Sequence, residues 1–211
     1  MFKRFSVDEH VSNISKVKTS VQRKICQRIS EQYPLLEEND GELMELLLPK
    51  KAPLLVAKCS GTEHLQLVCA EDGTPLFFNM RDGPFLPTLK LLHKLPTLMK
   101  VIRADKGAIP YVLSGANIMA PGLTSKGGDL PEVIEEGEPV AIMAEGKELA
   151  MAVGIMQMST ANMYIHTHPI FFHLVSISCV CLSCSKSINK GVAVELGHFL
   201  GDDLWLLHKI E

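Results

Sequence analysis

The stretch Lys106 to Gly122, KGAIPYVLSGANIMAPG, sets a lysine and several glycines where backbone N–H groups could meet an anion. A short apolar segment, Ala108 to Leu113, is bracketed by glycines and followed by a second turn, Ala120-Pro121-Gly122. This predicts a helix of one to two turns, a tight exit at Ser114-Gly115-Ala116 and a brief strand from Asn117 to Met119. Gly115 falls just past the last apolar position, where a left-handed C-cap costs least for a residue without Cβ. Pro110 is harmless if Asp105 to Gly107 supply the cap, because first-turn amides have no helical partner. Such a corner, with N–H groups exposed beside Lys106, suits close approach by a phosphate backbone.

Other chemistries are harder to assemble. Gly122 and Gly127 have P-loop spacing, but the loop Leu123 to Gly128 lacks the Gly-Lys-Ser/Thr that would hold phosphate and magnesium. The first half offers no Cys-His, Ser-His or paired-carboxylate constellation and no G-x-G-x-x-G, and His64 and His93 are isolated. No cofactor is expected and the chain reads as a non-enzyme.

The segment Tyr164 to Ser185 stands apart: its 22 residues carry no charged side chain except histidine. One reading is a zinc site, from Cys179-x-Cys181-x-x-Cys184 with His166, His168 and His173, although a single C-x-x-C without a second pair is weak. A membrane span is a second, but Pro169 to Cys184 falls short of the roughly 20 apolar residues required, and no membrane association is expected. A surface insertion at a loop tip is a third. The preferred reading is a translated intron, since these residues are compatible with pyrimidine-rich codons ending in an acceptor-like CAG at Cys184-Ser185. Deleting them would join Met158–Met163 to Lys186–Gly191 as one short helix.

Two small domains fit 211 residues, and 46% apolar residues suffice for packed cores. The formal charge is −3, which excludes a strongly basic DNA-coating protein. It is unevenly split: residues 1–105 carry 15 Lys+Arg and 13 Asp+Glu, net +2, and residues 106–211 carry 6 and 11, net −5. RNA contact in the second half must therefore come from a local patch. Met1-Phe2-Lys3-Arg4-Phe5 runs into a polar segment without the apolar core of a signal peptide. Cys26, Cys59 and Cys69 lack framework spacing, so reduced thiols and a cytoplasmic location are expected.

Elements must position the corner. Ser6-Val7-Asp8-Glu9 has capping-box spacing, and Val11, Ile14, Val17, Val21, Ile25, Ile29 and Tyr33 follow at steps of three and four, predicting one long helix ended by Pro34. Its other face carries Lys16, Lys18, Arg23, Lys24 and Arg28, a solvated surface or an RNA contact. A helix over Glu42 to Leu48 follows, then strands at Leu54–Cys59, His64–Cys69 and Pro75–Asn79, the last two joined by a turn at Glu71-Asp72-Gly73. Pro87 opens a helix from Thr88 to Lys94. The cations expected to be exposed, Lys50, Lys51, Arg81, Lys90 and Lys94, come from separate segments. Beyond residue 98, strands are predicted at Lys100–Ala104, Pro139–Ala144 and Leu149–Gln157, with a final strand within Gly197–His208 around a core-anchoring Trp205. The apolar character of the middle pair implies burial on both faces or closure of a small barrel.

KGAIPYVLSGANIMAPGLTS, with VAIMAEGKELAMAVGIMQMS from Val140, resembles the core of a PUA domain, a small RNA-binding pseudo-barrel. FFNMRDGPFLPTLKLLHKLP from Phe77 is similar to the N-terminal domain of one PUA subgroup, the malignant T-cell-amplified-sequence family of translation factors. The resemblance implies an α+β fold: an N-terminal mixed domain over residues 1–98, then a PUA-type β pseudo-barrel with short helices over 99–211, carrying the insert 164–185. It further implies a translation factor on the small ribosomal subunit, partnered by a density-regulated-protein homologue, and would place any RNA contact of the Lys16 to Arg28 face on ribosomal RNA. The roles implied are non-standard initiation, reinitiation and release of tRNA after termination. The implied RNA-facing residues are Lys106, Gly107, Ser114, Gly115, Ala116 and Gly122, with Lys126 and Lys147 as phosphate contacts to tRNA or small-subunit RNA. Pro110 stands where the family usually carries a basic residue. The alternatives are a targeting subunit of an RNA-modifying enzyme and a scaffold that does not bind RNA.

Overall fold

The structure is a computed structural model that describes residues 2–60, 64–164 and 191–210. The expected zinc, span, loop and intron readings of 164–185 fall, apart from the backbone of Tyr164, outside the described residues.

The first sheet has strand order β1-β2-β3-β4-β5, all antiparallel, from β1 (Val11–Lys16), β2 (Leu55–Cys59), β3 (Leu65–Cys69), β4 (Pro75–Met80) and β5 (Leu86–Pro87). One face is covered by α2 (Thr19–Gln32), a 3₁₀ turn (Pro34–Glu37) and α3 (Glu38–Leu47); the Tyr33 and Phe77 rings stack at 6.2 Å there. Phe78, one residue on, points to the opposite face, as the pleat requires, and meets Phe2 and His198. Strands β2, β3 and β4 and helix α4 (Leu89–Lys94) follow the sequence reading. Thr88 caps α4 by accepting from the Leu91 N–H.

The long helix expected from Ser6 to Tyr33 is instead three elements: α1 (Val7–His10), β1 and α2. Ser6 makes no side-chain cap bond. The misreading has a physical cause. A bulge between Val11 and Asn13 puts an extra residue opposite Lys58, so Val11 and Ile14 both lie half-buried although three positions apart. A strand interrupted in this way mimics the helical step.

The second sheet has the order β6-β8-β9-β10-β7, with β6 (Val101–Ala104) parallel to β8 (Pro139–Ala144) and the other pairs, which involve β9, β10 and β7 (Ile118–Met119), antiparallel. A short helix, α7 (Thr160–Tyr164), follows β9. The burial expected for β8 and β9 (Ala150–Met156) is present on both faces. The predicted last strand is displaced: β10 spans Val192–Phe199, and Trp205 sits on the short helix α8 (Asp203–Leu206). Trp205 does anchor packing, with its ring 5.3 Å from that of His93. The expected turn and polar loop at 120–128 begin with a one-turn helix, α6 (Pro121–Thr124), opened by Pro121.

The two sheets are joined by exchanged termini. Phe2 is fully buried and makes edge contacts with Phe5 at 5.4 Å, Phe78 at 5.1 Å and His198 at 5.9 Å. The Phe5 N–H donates to the Asp203 carboxylate at 2.7 Å. In the reverse direction Leu204 and Ile210 join the core of the first sheet, and the Ile210 N–H donates to the Gly73 carbonyl at 2.9 Å. Gly197 marks a close approach, since a Cβ there would lie 3.3 Å from both Leu86 and Phe78. Lys90, expected to be exposed, is half-buried in this seam and donates to the Leu207 carbonyl at 2.7 Å.

Burial raises the thiols, Cys59 to about 11 and Cys69 to about 12. At pH 8 the folded protein should therefore alkylate at Cys59 and Cys69 far more slowly with iodoacetamide than the urea-unfolded chain, read by peptide mass spectrometry. Equal rates would contradict the packing around β2 and β3. Phe2→Ala should cost about 3 kcal/mol or more in urea unfolding, because it empties a fully buried aromatic site. Leu206→Ala, at a position 62% exposed, should be near neutral.

Candidate nucleic-acid interface

The corner has two ends. α5 (Ile109–Leu113) spans five residues, so about 7.5 Å separates them. At its start the Asp105 carboxylate accepts from the Ala108 N–H at 2.8 Å and from the Ser125 hydroxyl, which closes the turn ahead of α5 and ties the α6 loop to β6. The helix itself is N-capped at Ala108 with no side-chain cap bond, so the cap expected from Asp105 to Gly107 is not formed. The Asp105 N–H donates to the Gly122 carbonyl at 3.0 Å. Gly122 packs tightly, with a hypothetical Cβ 3.0 Å from that of Ala108.

At its end, Gly115 has the left-handed conformation expected, φ +84°. The amides there are not free, however. The Gly115 N–H donates to the Val112 carbonyl at 2.9 Å and the Ala116 N–H to the Tyr111 carbonyl at 3.0 Å, the paired bonds of a helix C-cap. The Ser114 N–H donates to the carbonyls of Pro110 and Tyr111. A Cβ at Gly115 would lie 3.0 Å from the Phe199 ring. Ser114, Gly115 and Ala116 therefore close α5 against β10 and have no backbone donor to offer an anion. That corrects the expectation of open amides, and the reason is general: a helix end closed by a left-handed cap turns its amides back on its own orphan carbonyls.

The start of α5 gathers the rest. The Lys106 N–H donates to the Glu145 carboxylate at 3.3 Å. Gly127, at φ +104°, leaves room for that same carboxylate, which a Cβ would approach to 2.4 Å. Glu145 opens the β8–β9 turn that carries Lys147, and its N–H donates to the Ala104 carbonyl at 3.1 Å. Three loops thus meet around one glutamate, bearing Lys106, Gly107, Lys126 and Lys147. All four are exposed, and the three lysines make no ion pair among the described residues. By contrast Arg103 pairs with Asp129 at 3.7 Å and Lys100 with Glu138 at 2.8 Å, which holds the Glu138 carboxyl below its usual range.

Sequence reasoning missed Tyr111, 68% exposed on α5, and with it the partly exposed Leu113 and, on β7 (Ile118–Met119), Met119. The signal was there. In a one-turn helix with Val112 buried, the neighbours at ±100° cannot also face inward. Among the described residues no helix is long and apolar enough to cross a membrane.

Comparison with known proteins is consistent along the whole chain. Residues 5–96 match the Pre-PUA-like domain family and residues 99–168 the family described as "elF2D, PUA domain". The chain is 42% identical to malignant T-cell-amplified sequence 2 of Mus musculus and 41% to the malignant T-cell-amplified sequence 1 homolog of Drosophila melanogaster. It is 38% identical to translation machinery-associated protein 20 of Schizosaccharomyces pombe; each match covers 97% of both chains. Its fold is that of a hypothetical protein of Pyrococcus horikoshii, TM-score 0.60 at 22% identity, over 92% of this chain and 98% of that one. A conserved PUA domain protein from Thermoplasma acidophilum gives 0.53 at 17% identity over the same shares. The fold is α+β with a PUA-type pseudo-barrel, and the chain belongs to the malignant T-cell-amplified-sequence family.

Proposed function

We propose that this protein is a non-enzymatic, RNA-binding translation factor of the cytoplasm. The observation that carries the reading is the convergence of Lys106, Lys126 and Lys147, exposed and without carboxylate partners among the described residues, on three loops at the start of α5, the helix that carries the exposed Tyr111. Lysines held this way can neutralise phosphates, and a free aromatic face can stack on a base. Contact runs through side chains, since the Lys106 amide is taken by Glu145 and the Ser114–Ala116 amides by α5. The relative named as translation machinery-associated supports the same setting. The finer assignment follows the family: residues 1–98 dock on small-subunit RNA and on a density-regulated-protein homologue, while residues 99–211 face RNA or tRNA. The heterodimer serves non-standard initiation, reinitiation and tRNA release after termination. The scaffold reading is favoured by one observation, the net −5 of residues 106–211.

Cosedimentation with small ribosomal subunits over graded salt separates the two. Lys106→Glu combined with Lys126→Glu and Lys147→Glu should weaken binding at least tenfold and flatten the log–log salt slope by about one per lysine in phosphate contact. The same substitutions should leave the urea midpoint nearly unchanged, as the side chains are exposed. Affinity and slope identical to the parent protein would favour the scaffold.

A further inference from the structure

The first sheet has an open edge. β1 is its outermost strand and pairs only with β2. The Val17 N–H donates to the Leu54 carbonyl at 3.0 Å, which fixes the alternation: Ser15 and Asn13 bond toward β2, while the N–H and C=O groups of Ile14 and Lys16 point outward. None of those outward groups has a partner among the described residues. The other edges are short or covered. β5 and β7 have two residues each, and β6 is bonded on its outer side through reciprocal backbone bonds between Arg103 and Asp129.

The charge at this edge has one sign. From His10 to Ser30 the chain carries Lys16, Lys18, Arg23, Lys24 and Arg28 and no carboxylate. Arg28 is used internally, donating to the Asp82 and Gly83 carbonyls and lying over the Phe85 ring at 5.1 Å. Lys16 and Lys18 are exposed at the end of β1, and Lys58 is exposed on β2 opposite Asn13; none of the three is ion-paired among the described residues.

We propose that β1 receives an extended acidic segment of a partner protein as a sixth strand of the first sheet. A second copy of β1 is disfavoured because it would gather the Lys16 and Lys18 charges of both copies along one seam. RNA matches the charge but not the backbone: its phosphate oxygens only accept, and its 2′-hydroxyl and base donors do not alternate with acceptors at the strand spacing of the Ile14 and Lys16 groups. A peptide supplies donors and acceptors in alternation, with acidic side chains for Lys16, Lys18 and Lys58.

The test uses the full chain and fluorescent probes of defined composition: the capped octapeptide (Val-Glu)4, the same peptide N-methylated on every valine or on every glutamate, (Val-Lys)4, and an eight-nucleotide oligouridylate. Anisotropy should show (Val-Glu)4 binding and (Val-Lys)4 not. One of the two methylated peptides should bind at least tenfold more weakly, because its strand-facing donors are blocked. Lys16 and Lys58 stand on opposite faces of the sheet, and the glutamates of one bound strand share a single face, so one of Lys16→Glu and Lys58→Glu should weaken (Val-Glu)4 binding several-fold and the other little. The Ile14 and Lys16 amides should gain exchange protection when it binds. Equal binding of both methylated peptides, binding of the oligouridylate alone with sensitivity to Lys16→Glu, or binding of no probe would each overturn the proposal.

Discussion

The structure depends on the burial of Phe2. A ring from the start of the chain fills the gap between the two sheets, held among Phe5, Phe78 and His198. His198 is itself fixed by the Asp202 carboxylate at 2.7 Å, with both side chains fully buried. Asp202 also accepts from the Phe199 and Trp205 N–H groups, so one carboxylate holds the end of β10 and the start of α8. Because Ile210 returns to Gly73 on the other side, each sheet carries a segment that belongs in sequence to the other. Aromatic packing of this kind is worth several kcal/mol where it is fully buried. It lets a lysine-bearing corner on one sheet hold a fixed orientation to a cationic edge on the other.

Within the corner, electrostatics and geometry divide the labour. Asp105 and Glu145 do the structural work, closing the turn ahead of α5 and tying three loops together, and they occupy amides an anion could otherwise use. The lysines are thereby left on the outside with their charge unspent. An acidic half-chain can still present a positive patch when its carboxylates at the site are turned inward toward N–H groups, and Coulombic attraction at such short range outweighs the diffuse net charge.

Much of this was legible from residue order. The strands β2, β3 and β4, the turn between the last two, helix α4, α5 with its glycine exit and the apolar pair β8–β9 each follow from local rules that tertiary packing reinforced. β1 was not legible because its bulge turns a period of two into an apparent period of three, and that depends on pairing with Lys58, 45 residues on. The fate of the Ser114–Ala116 amides was hidden for a related reason. Glycine spacing announces a left-handed cap, but whether its donors face a ligand or close the helix is decided by what packs behind, here Phe199 on β10. Neither that strand nor the reach of the C-terminal residues to Gly73 could be placed from spacing alone, since both are contacts across most of the chain.

The most direct measurement of the seam uses the single tryptophan, Trp205, which lies against His93 between the sheets. Urea unfolding followed by Trp205 fluorescence and by far-UV circular dichroism should give coincident transitions, because the sheets and the residues that lace them melt as one unit. A fluorescence transition complete at lower urea, with secondary structure intact, would show that the two sheets part before they unfold and would contradict a corner held in fixed orientation.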